Sequence, residues 1–206
     1  MKVREESYML KAEEFSFNEN ITVVDDAQFQ AHYSLYEGYI KKYNEIDAIF
    51  KAGDDQPGEA NSTYSKFRGL KRGESYSLNA IILHELYFSN IGGKENVVPD
   101  SVLKLIERDF GTFENWELDF IATAKASRGW SILAFEQKTQ RFMNMSLDTH
   151  DMGGIVLGFP LIVLDVYEHA YFMQYGTDKV SYINNFLYNV NWMTVKDRAE
   201  LFYNLS

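Results

Sequence analysis

The sequence contains no cysteine among its 206 residues. This absence excludes disulfide scaffolds, thiolate zinc sites, iron–sulfur clusters and thiol nucleophiles. It also gives no support for an oxidising compartment, where a chain of this size would often carry a disulfide. Any metal site in this chain must therefore be built without soft sulfur ligands of the cysteine type.

Long hydrophobic runs are absent as well. The longest, Ile155–Leu164, contains Gly158 and Pro160 and has about half of the roughly 20 residues that a membrane-spanning helix needs. Residues 1–15 are charged throughout and lack the apolar segment of a signal peptide. These features predict a soluble, cytoplasmic protein with no membrane partner.

Positive charge is scarce, because 20 Lys and Arg face 30 Asp and Glu, for a net charge of −10. Such a balance argues against nucleic acid or an anionic membrane as a partner. It leaves a small anionic substrate open, because a local field can oppose the net charge. Aromatic residues are abundant at 16%, so many large rings must pack in a core or around a site.

Apolar periodicity predicts a helical first part of the chain. Residues 27–50 place His32, Tyr36, Tyr39 and further apolar residues on one helical face. A second helix is predicted over residues 77–90, apolar almost all round and stopped by a glycine pair. The polar stretch around residues 94–99 is the best boundary, giving an N-terminal domain over 1–95 and a C-terminal domain over 96–206.

The C-terminal part has a mixed pattern. A polar run between two segments rich in β-forming residues predicts a hairpin. A third apolar run, Gly158–Val166, predicts a central strand with Pro160 near its start. The predicted class is α+β, with an N-terminal α-helical hairpin domain and a C-terminal α/β domain that holds a small three-stranded antiparallel sheet. The remaining predicted elements are helices over 101–109, 113–126, 182–190 and 195–205 and strands over 130–136 and 142–147.

The chain has four histidines, His32, His84, His150 and His169. His32 and His84 lie on apolar helix faces, and His169 follows Asp165 by four residues at the end of an apolar strand. Burying such groups costs several kcal/mol unless they are paired or bound to a metal. A single histidine on an apolar face is nevertheless more often a hydrogen-bonded core residue than a ligand, and Asp165 with His169 could form a simple strand-end pair.

The run Asp165-Val166-Tyr167-Glu168-His169-Ala170-Tyr171 resembles the metal-binding signature of the iron/manganese superoxide dismutases, D-x-W-E-H-A-Y. Other segments resemble family motifs in the family's order. They are Asp109–Phe113, Gly129-Trp130 with the hairpin after it, and Tyr182–Trp192. The resemblance spans about residues 25–200, although the usual L-P-Y opening is missing.

The resemblance implies one mononuclear iron or manganese ion per subunit, with iron slightly favoured. Its ligands would be His32, His84, Asp165 and His169. Imidazole and carboxylate groups suit these metals. The implied activity is the disproportionation of superoxide into dioxygen and hydrogen peroxide.

The resemblance also assigns two catalytic roles outside the ligand set. The family's gateway tyrosine falls at Ile40, and Tyr39, one residue earlier, keeps the His32 face and is assigned this role. The glutamine that hydrogen-bonds the metal-bound solvent in many members falls on His150. Ile132 and Tyr167 stand where tryptophans often wall the site.

A homodimer, or a dimer of dimers, is implied in the same way. Glu168 is the family's glutamate that reaches the ligand histidine of the other subunit. Tyr36 and Phe172 replace a His–Tyr pair that commonly links the subunits at this interface.

Two other interpretations compete with an active dismutase. The altered gate and the missing tryptophans fit a dismutase-like metal-binding protein with little or no turnover. An aromatic-rich core with incidental histidines would bind no metal. Measurements of metal content and of superoxide turnover distinguish these three interpretations.

Overall fold

A computed structural model describes residues 9–93 and 97–203. In the described residues, two long helices come first, and two shorter helices, a three-stranded sheet and a C-terminal set of helices follow. The helices are α1 (Asp26–Ala52), α2 (Lys66–Asn90), α3 (Asp100–Phe110), α4 (Phe113–Ala126), α5 (Phe172–Tyr175), α6 (Lys179–Tyr188) and α7 (Trp192–Glu200), and the strands are β1 (Trp130–Glu136), β2 (Arg141–Leu147) and β3 (Gly158–Asp165). The predicted fold class is confirmed.

Helices α1 and α2 form the expected hairpin, but α2 is longer than its sequence pattern predicts. It begins at Lys66 rather than residue 77, and the Ser65 side chain caps it by accepting a hydrogen bond from the Arg68 amide. Its first turns are polar, so apolar periodicity misses them. They are held by close packing, since a Cβ on Gly73 would lie 2.9 Å from the Ile46 side chain of α1.

The sheet is antiparallel with the order β2-β1-β3. The prediction that Gly158–Val166 is the central strand is therefore wrong, because β1 lies in the middle and β3 at the edge. Pro160 lies on this edge strand, where a missing amide donor is tolerated. β3 reads as a central strand because α2 and α7 contact it and bury its second half.

The C-terminal helices are offset from their predicted positions. α6 runs from Lys179 rather than 182 and ends two residues early, and α7 begins at Trp192 rather than 195. The side chains of Asp178 and Asn191 cap these helices, accepting hydrogen bonds from Ser181 and Thr194 amides. Capping therefore sets both starts ahead of the apolar pattern.

The predicted end of the last helix at residue 205 is wrong, because α7 ends at Glu200, and Phe202 and Tyr203 follow it in a turn and pack against Phe135. The boundary between residues 95 and 96 lies outside the described residues, so the division into two domains stays a prediction. Among the residues described, no helix combines the length and the hydropathy needed to cross a membrane.

Candidate metal centre

The structure brings the four predicted ligands together from four different elements. His32 comes from the buried face of α1, and His84 from the middle of α2. Asp165 is the last residue of β3, and His169 lies in the 3-10 turn Glu168–Ala170 that follows it. One donor atom from each of these residues lies within 4.8 Å of the other three.

The Oδ2 atom of Asp165 is the centre of this cluster. The Nε2 atoms of His32, His169 and His84 lie 3.0, 3.2 and 3.8 Å from it. The other carboxylate oxygen, Oδ1, accepts a hydrogen bond from the Tyr167 amide at 2.9 Å. Three imidazole nitrogens and one carboxylate oxygen therefore point at a common position.

The protonation of His84 shows that the cluster fits a cation. Its Nδ1 atom lies 2.6 Å from the Ala80 carbonyl oxygen. A carbonyl only accepts, so Nδ1 carries the proton and Nε2 has a free lone pair. That lone pair faces a carboxylate oxygen and has no hydrogen-bond partner among the described residues, although His84 is fully buried. Two buried acceptors facing each other call for a cation between them.

The pKa values of the candidate ligands also favour metal binding. Burial lowers the pKa of His84 to about 3, with a further contribution from nearby His32, and burial also lowers the pKa of His32. Burial alone would raise the pKa of Asp165, but hydrogen bonds from His169 and His32 outweigh it and hold this pKa well below its usual value. Neutral imidazoles and an ionised carboxylate are the forms that bind iron or manganese.

His150 lies beside this cluster and is 2% exposed, so it is not a solvated loop histidine. Its Nδ1 lies 3.0 Å from Trp130 Nε1, and its Nε2 lies 3.0 Å from the Tyr39 hydroxyl. Its ring is 5.9 Å from that of His84. Tyr39 and His150, which the sequence assigns together, thus form one hydrogen-bonded pair next to the ligands.

A third residue, Tyr76, joins this pair, and no pattern in the sequence pointed to it. The Tyr76 ring lies 4.7 Å from that of His150 and 6.3 Å from that of Tyr39. Burial, followed by the nearby Tyr76, raises the pKa of Tyr39 to about 12, and the same two causes raise the pKa of Tyr167. Tyr76 lies two turns before His84 on the same helix, α2.

A buried amide holds the turn that carries His169. The Nε2 of Gln28 donates to the His169 carbonyl at 2.6 Å, and its Oε1 accepts from the Met173 amide at 3.0 Å. Gln28 is fully buried and lies one turn before His32 on α1. It therefore ties two ligand-bearing elements together, and no motif in the sequence pointed to it.

The three residues expected at a dimer interface differ in their exposure. Glu168 and Phe172 lie at the surface beside His169, and Phe172 is 48% exposed. Tyr36 is fully buried, and its hydroxyl donates to Glu85 and accepts from the Glu13 amide. A contact of these residues with a second subunit stays a prediction.

Fold and site together define a class of protein. It is a mononuclear metalloprotein whose ion would be held between a helical hairpin and an α/β part, each of which supplies two ligands. Three imidazoles and one carboxylate suit iron or manganese, and the hydrogen-bonded Tyr39–His150 pair lies beside them.

Comparisons with known proteins identify the family. Residues 99–198 match the family described as iron/manganese superoxide dismutases, C-terminal domain. A superoxide dismutase [Fe] of Aquifex pyrophilus is 36% identical over 186 residues, covering 88% of this chain and 87% of that protein. A superoxide dismutase [Fe] of Cupriavidus metallidurans is 34% identical, with 86% and 89% coverage. A superoxide dismutase [Mn] 1 of Halobacterium salinarum is 29% identical, with 82% of each chain covered. The chain belongs to the iron/manganese superoxide dismutase family.

Proposed function

We propose that this protein is a superoxide dismutase that uses one mononuclear iron or manganese ion per subunit. The overall reaction converts two superoxide anions and two protons into dioxygen and hydrogen peroxide. This proposal rests on four donor atoms that lie within 4.8 Å of one another. Among them, the unprotonated Nε2 of His84 faces the Asp165 carboxylate. His32, His84, Asp165 and His169 would hold the ion.

When bound, the ion supplies one-electron redox chemistry, accepting an electron from one superoxide and donating one to another. The protein's own residues hold a proton, orient the group that holds it and limit water at the site. Tyr39 holds a proton next to the ligands, because a phenol is protonated at neutral pH and burial raises its pKa further, to about 12. His150 orients Tyr39 through its hydrogen bond. The rings of Trp130 and Tyr167 pack against the ligand histidines and limit water around them.

Iron is the proposed metal of the native enzyme, with manganese as an alternative occupant. Relatives with iron in their names are 32–36% identical to this chain, and relatives with manganese in their names are 29–34% identical. The donor set, three imidazoles and one carboxylate, accepts both ions.

The test is turnover normalised to metal content. The protein is produced with iron or with manganese, the bound metal is measured per chain, and superoxide decay is followed by stopped-flow. We expect about one ion per chain and rapid decay that scales with the bound metal, faster with iron. Stoichiometric metal without turnover would instead establish the metal-binding alternative, and a chain without metal would overturn both.

We further propose that the protein forms a homodimer through the surface around Glu168 and Phe172. Glu168 lies beside the exposed side chains of Phe172 and Met173. It directly precedes the proposed ligand His169 in the chain. Glu168→Ala should raise the monomer fraction in sedimentation velocity. Glu107→Ala, at an exposed position of α3, is the matched control and should leave the assembly unchanged.

A further inference from the structure

The segment that carries His169 does not form a continuous helix. Glu168–Ala170 is a 3-10 turn, and α5 begins at Phe172, after Tyr171 has left helical geometry with φ −144° and ψ −18°. In a continuous α-helix, the Met173 amide would donate to the His169 carbonyl, four residues earlier. The described backbone contains no such bond, so the break leaves a donor and an acceptor that need other partners.

The side-chain amide of Gln28 fills this break. Its Nε2 donates to the His169 carbonyl at 2.6 Å, and its Oε1 accepts from the Met173 amide at 3.0 Å. A carbonyl only accepts and a backbone N–H only donates, so these two partners fix the orientation of the Gln28 amide. A side chain inserted into the ladder of helical hydrogen bonds bends or breaks a helix. Gln28 therefore keeps the His169 carbonyl and the Met173 amide apart.

His169 depends on side-chain contacts more than the other three ligands do. Those ligands lie in α1, α2 and β3, where backbone hydrogen bonds run along the whole element. The backbone hydrogen bonds of residues 170–176 reach only residues three or four positions away. Side chains therefore tie this segment to the start of α1. Besides Gln28, they include Gln174, whose Oε1 accepts from the Asp25 amide at 2.7 Å.

We propose that Gln28 is a positioning residue that holds His169 at the metal centre by keeping its turn separate from α5. If the break closed, the Met173 amide would bond to the His169 carbonyl. Residues 168–175 would then wind into one helix and turn the His169 ring relative to Asp165. This inference rests on the metal centre of the proposed function, but it does not depend on turnover.

The first test reads the two hydrogen bonds in the native protein. NMR measures scalar couplings across hydrogen bonds in protein that is deuterated, labelled with ¹⁵N and ¹³C, and loaded with diamagnetic Zn²⁺. We expect one coupling between the Gln28 side-chain nitrogen and the His169 carbonyl carbon. A second should join the Met173 amide nitrogen to the Gln28 side-chain carbonyl carbon. A coupling between the Met173 amide nitrogen and the His169 carbonyl carbon overturns the proposal without any need for a stable variant.

The variant Gln28→Met tests what these bonds do for His169. It keeps the length of the side chain and loses both hydrogen bonds. We expect iron to dissociate into excess chelator about tenfold faster, which is typical when a group that orients a metal ligand is removed. The EPR spectrum of the ferric protein should also change shape, because it reports the arrangement of the ligands. A purely structural role for Gln28 would lower thermal stability and leave this spectrum unchanged.

The variant Gln174→Met is the matched control. It removes the other glutamine that ties α5 to the start of α1, but it leaves the break between His169 and Met173 filled. We expect the dissociation rate and the EPR spectrum to stay as in the native protein. Equal changes in the two variants show a general loosening of α5 and overturn the role assigned to Gln28.

The outcomes separate this inference from the proposed function. An unchanged dissociation rate and EPR spectrum in Gln28→Met overturn the inference, even if the native protein is an active dismutase. A native protein that binds metal without turnover overturns the proposed function, and the inference stands if Gln28→Met still loses metal faster.

Discussion

His84 is the residue whose environment depends most on a cation. It is fully buried, its Nδ1 is bonded to its own helix, and its Nε2 faces a carboxylate oxygen 3.8 Å away. Hydrogen bonds within the protein thus satisfy one ring nitrogen and leave the other for a metal.

His84→Ala should abolish stoichiometric metal binding and leave a folded chain. The substitution removes one of four donors, while the helix keeps its backbone hydrogen bonds and gains a residue of high helix propensity. Metal per chain and circular dichroism measure the two effects. Full metal occupancy in this variant would show that His84 is a core residue and that the ligand set is wrong.

The buried histidines also predict how the metal-free protein responds to acid. In the folded state, burial lowers the pKa values of His32, His84 and His150. The pKa falls to about 3 for His84 and to about 4 for His150. Unfolded histidines take up protons near pH 6.5. The unfolded state therefore binds more protons between about pH 6.5 and 4, and the free energy of unfolding falls as the pH drops through this window.

The expected slope is at most about 1.4 kcal/mol per pH unit for each such histidine. Asp165 adds nothing in this window, because its carboxyl is ionised in both states until the pH approaches 4. Urea unfolding of the metal-free protein at pH 7 and pH 5 measures the effect. His150→Gln should lose stability less steeply, and an equal slope in the two proteins would contradict the role given to His150.

At the scale of elements, Gly129 allows the backbones of β1 and β2 to approach closely next to the site. Its amide donates to the Leu147 carbonyl and its carbonyl accepts from the Val166 amide, both at 2.9 Å. A Cβ at this position would lie 3.0 Å from the carbonyl oxygens of Leu147 and Asp148. Both are backbone atoms, so β1 and β2 would have to separate next to Trp130.

Gly129→Ala should lower the free energy of unfolding by about 1–3 kcal/mol, the usual cost of overpacking. Gly38→Ala is the control, because Gly38 lies inside α1 and a Cβ there meets nothing within 4 Å. That variant should gain roughly 0.5–1 kcal/mol from helix propensity. Denaturant unfolding compares the two, and similar changes in both variants would contradict the steric argument.

At the scale of the whole molecule, a net charge of −10 opposes the approach of an anion. Lys41, Lys42 and Lys179 are the candidates for a local positive field near the site. Lys42 forms an ion pair with Glu45, which offsets its charge. Lys179 is half-buried, donates to the Ser127 carbonyl at 2.8 Å, and lies close enough to feel the charge of Asp165.

Superoxide turnover should therefore fall as ionic strength rises, because salt screens attraction beyond a Debye length of about 8 Å at physiological ionic strength. Lys179→Gln should lower the rate at low salt and flatten the salt dependence. Lys42→Gln, the matched lysine whose charge is already paired, should change both little. A rate that rises steadily with salt would show that net repulsion dominates.

The sequence by itself determined the family, the α+β class and the identity of the ligand candidates. These follow from local information, because the run from Asp165 to Tyr171 is contiguous and the histidines are only four. Helical periodicity also placed α1 nearly to the residue, since buried residues recur along one face from Gln28 to Ile46.

Tertiary structure decided what local patterns do not contain. The apolar run of β3 was read as a central strand, but coverage by helices, rather than a second neighbouring strand, buries it. The first half of α2 is stabilised by a cap and by contact with α1, neither of which produces an apolar repeat. The contacts of Tyr76 with His150 and of Gln28 with the His169 turn join residues far apart in the chain. Such contacts exist only after the elements pack, because side-chain hydrogen bonding and ring contact depend on distance in space and not on spacing in sequence.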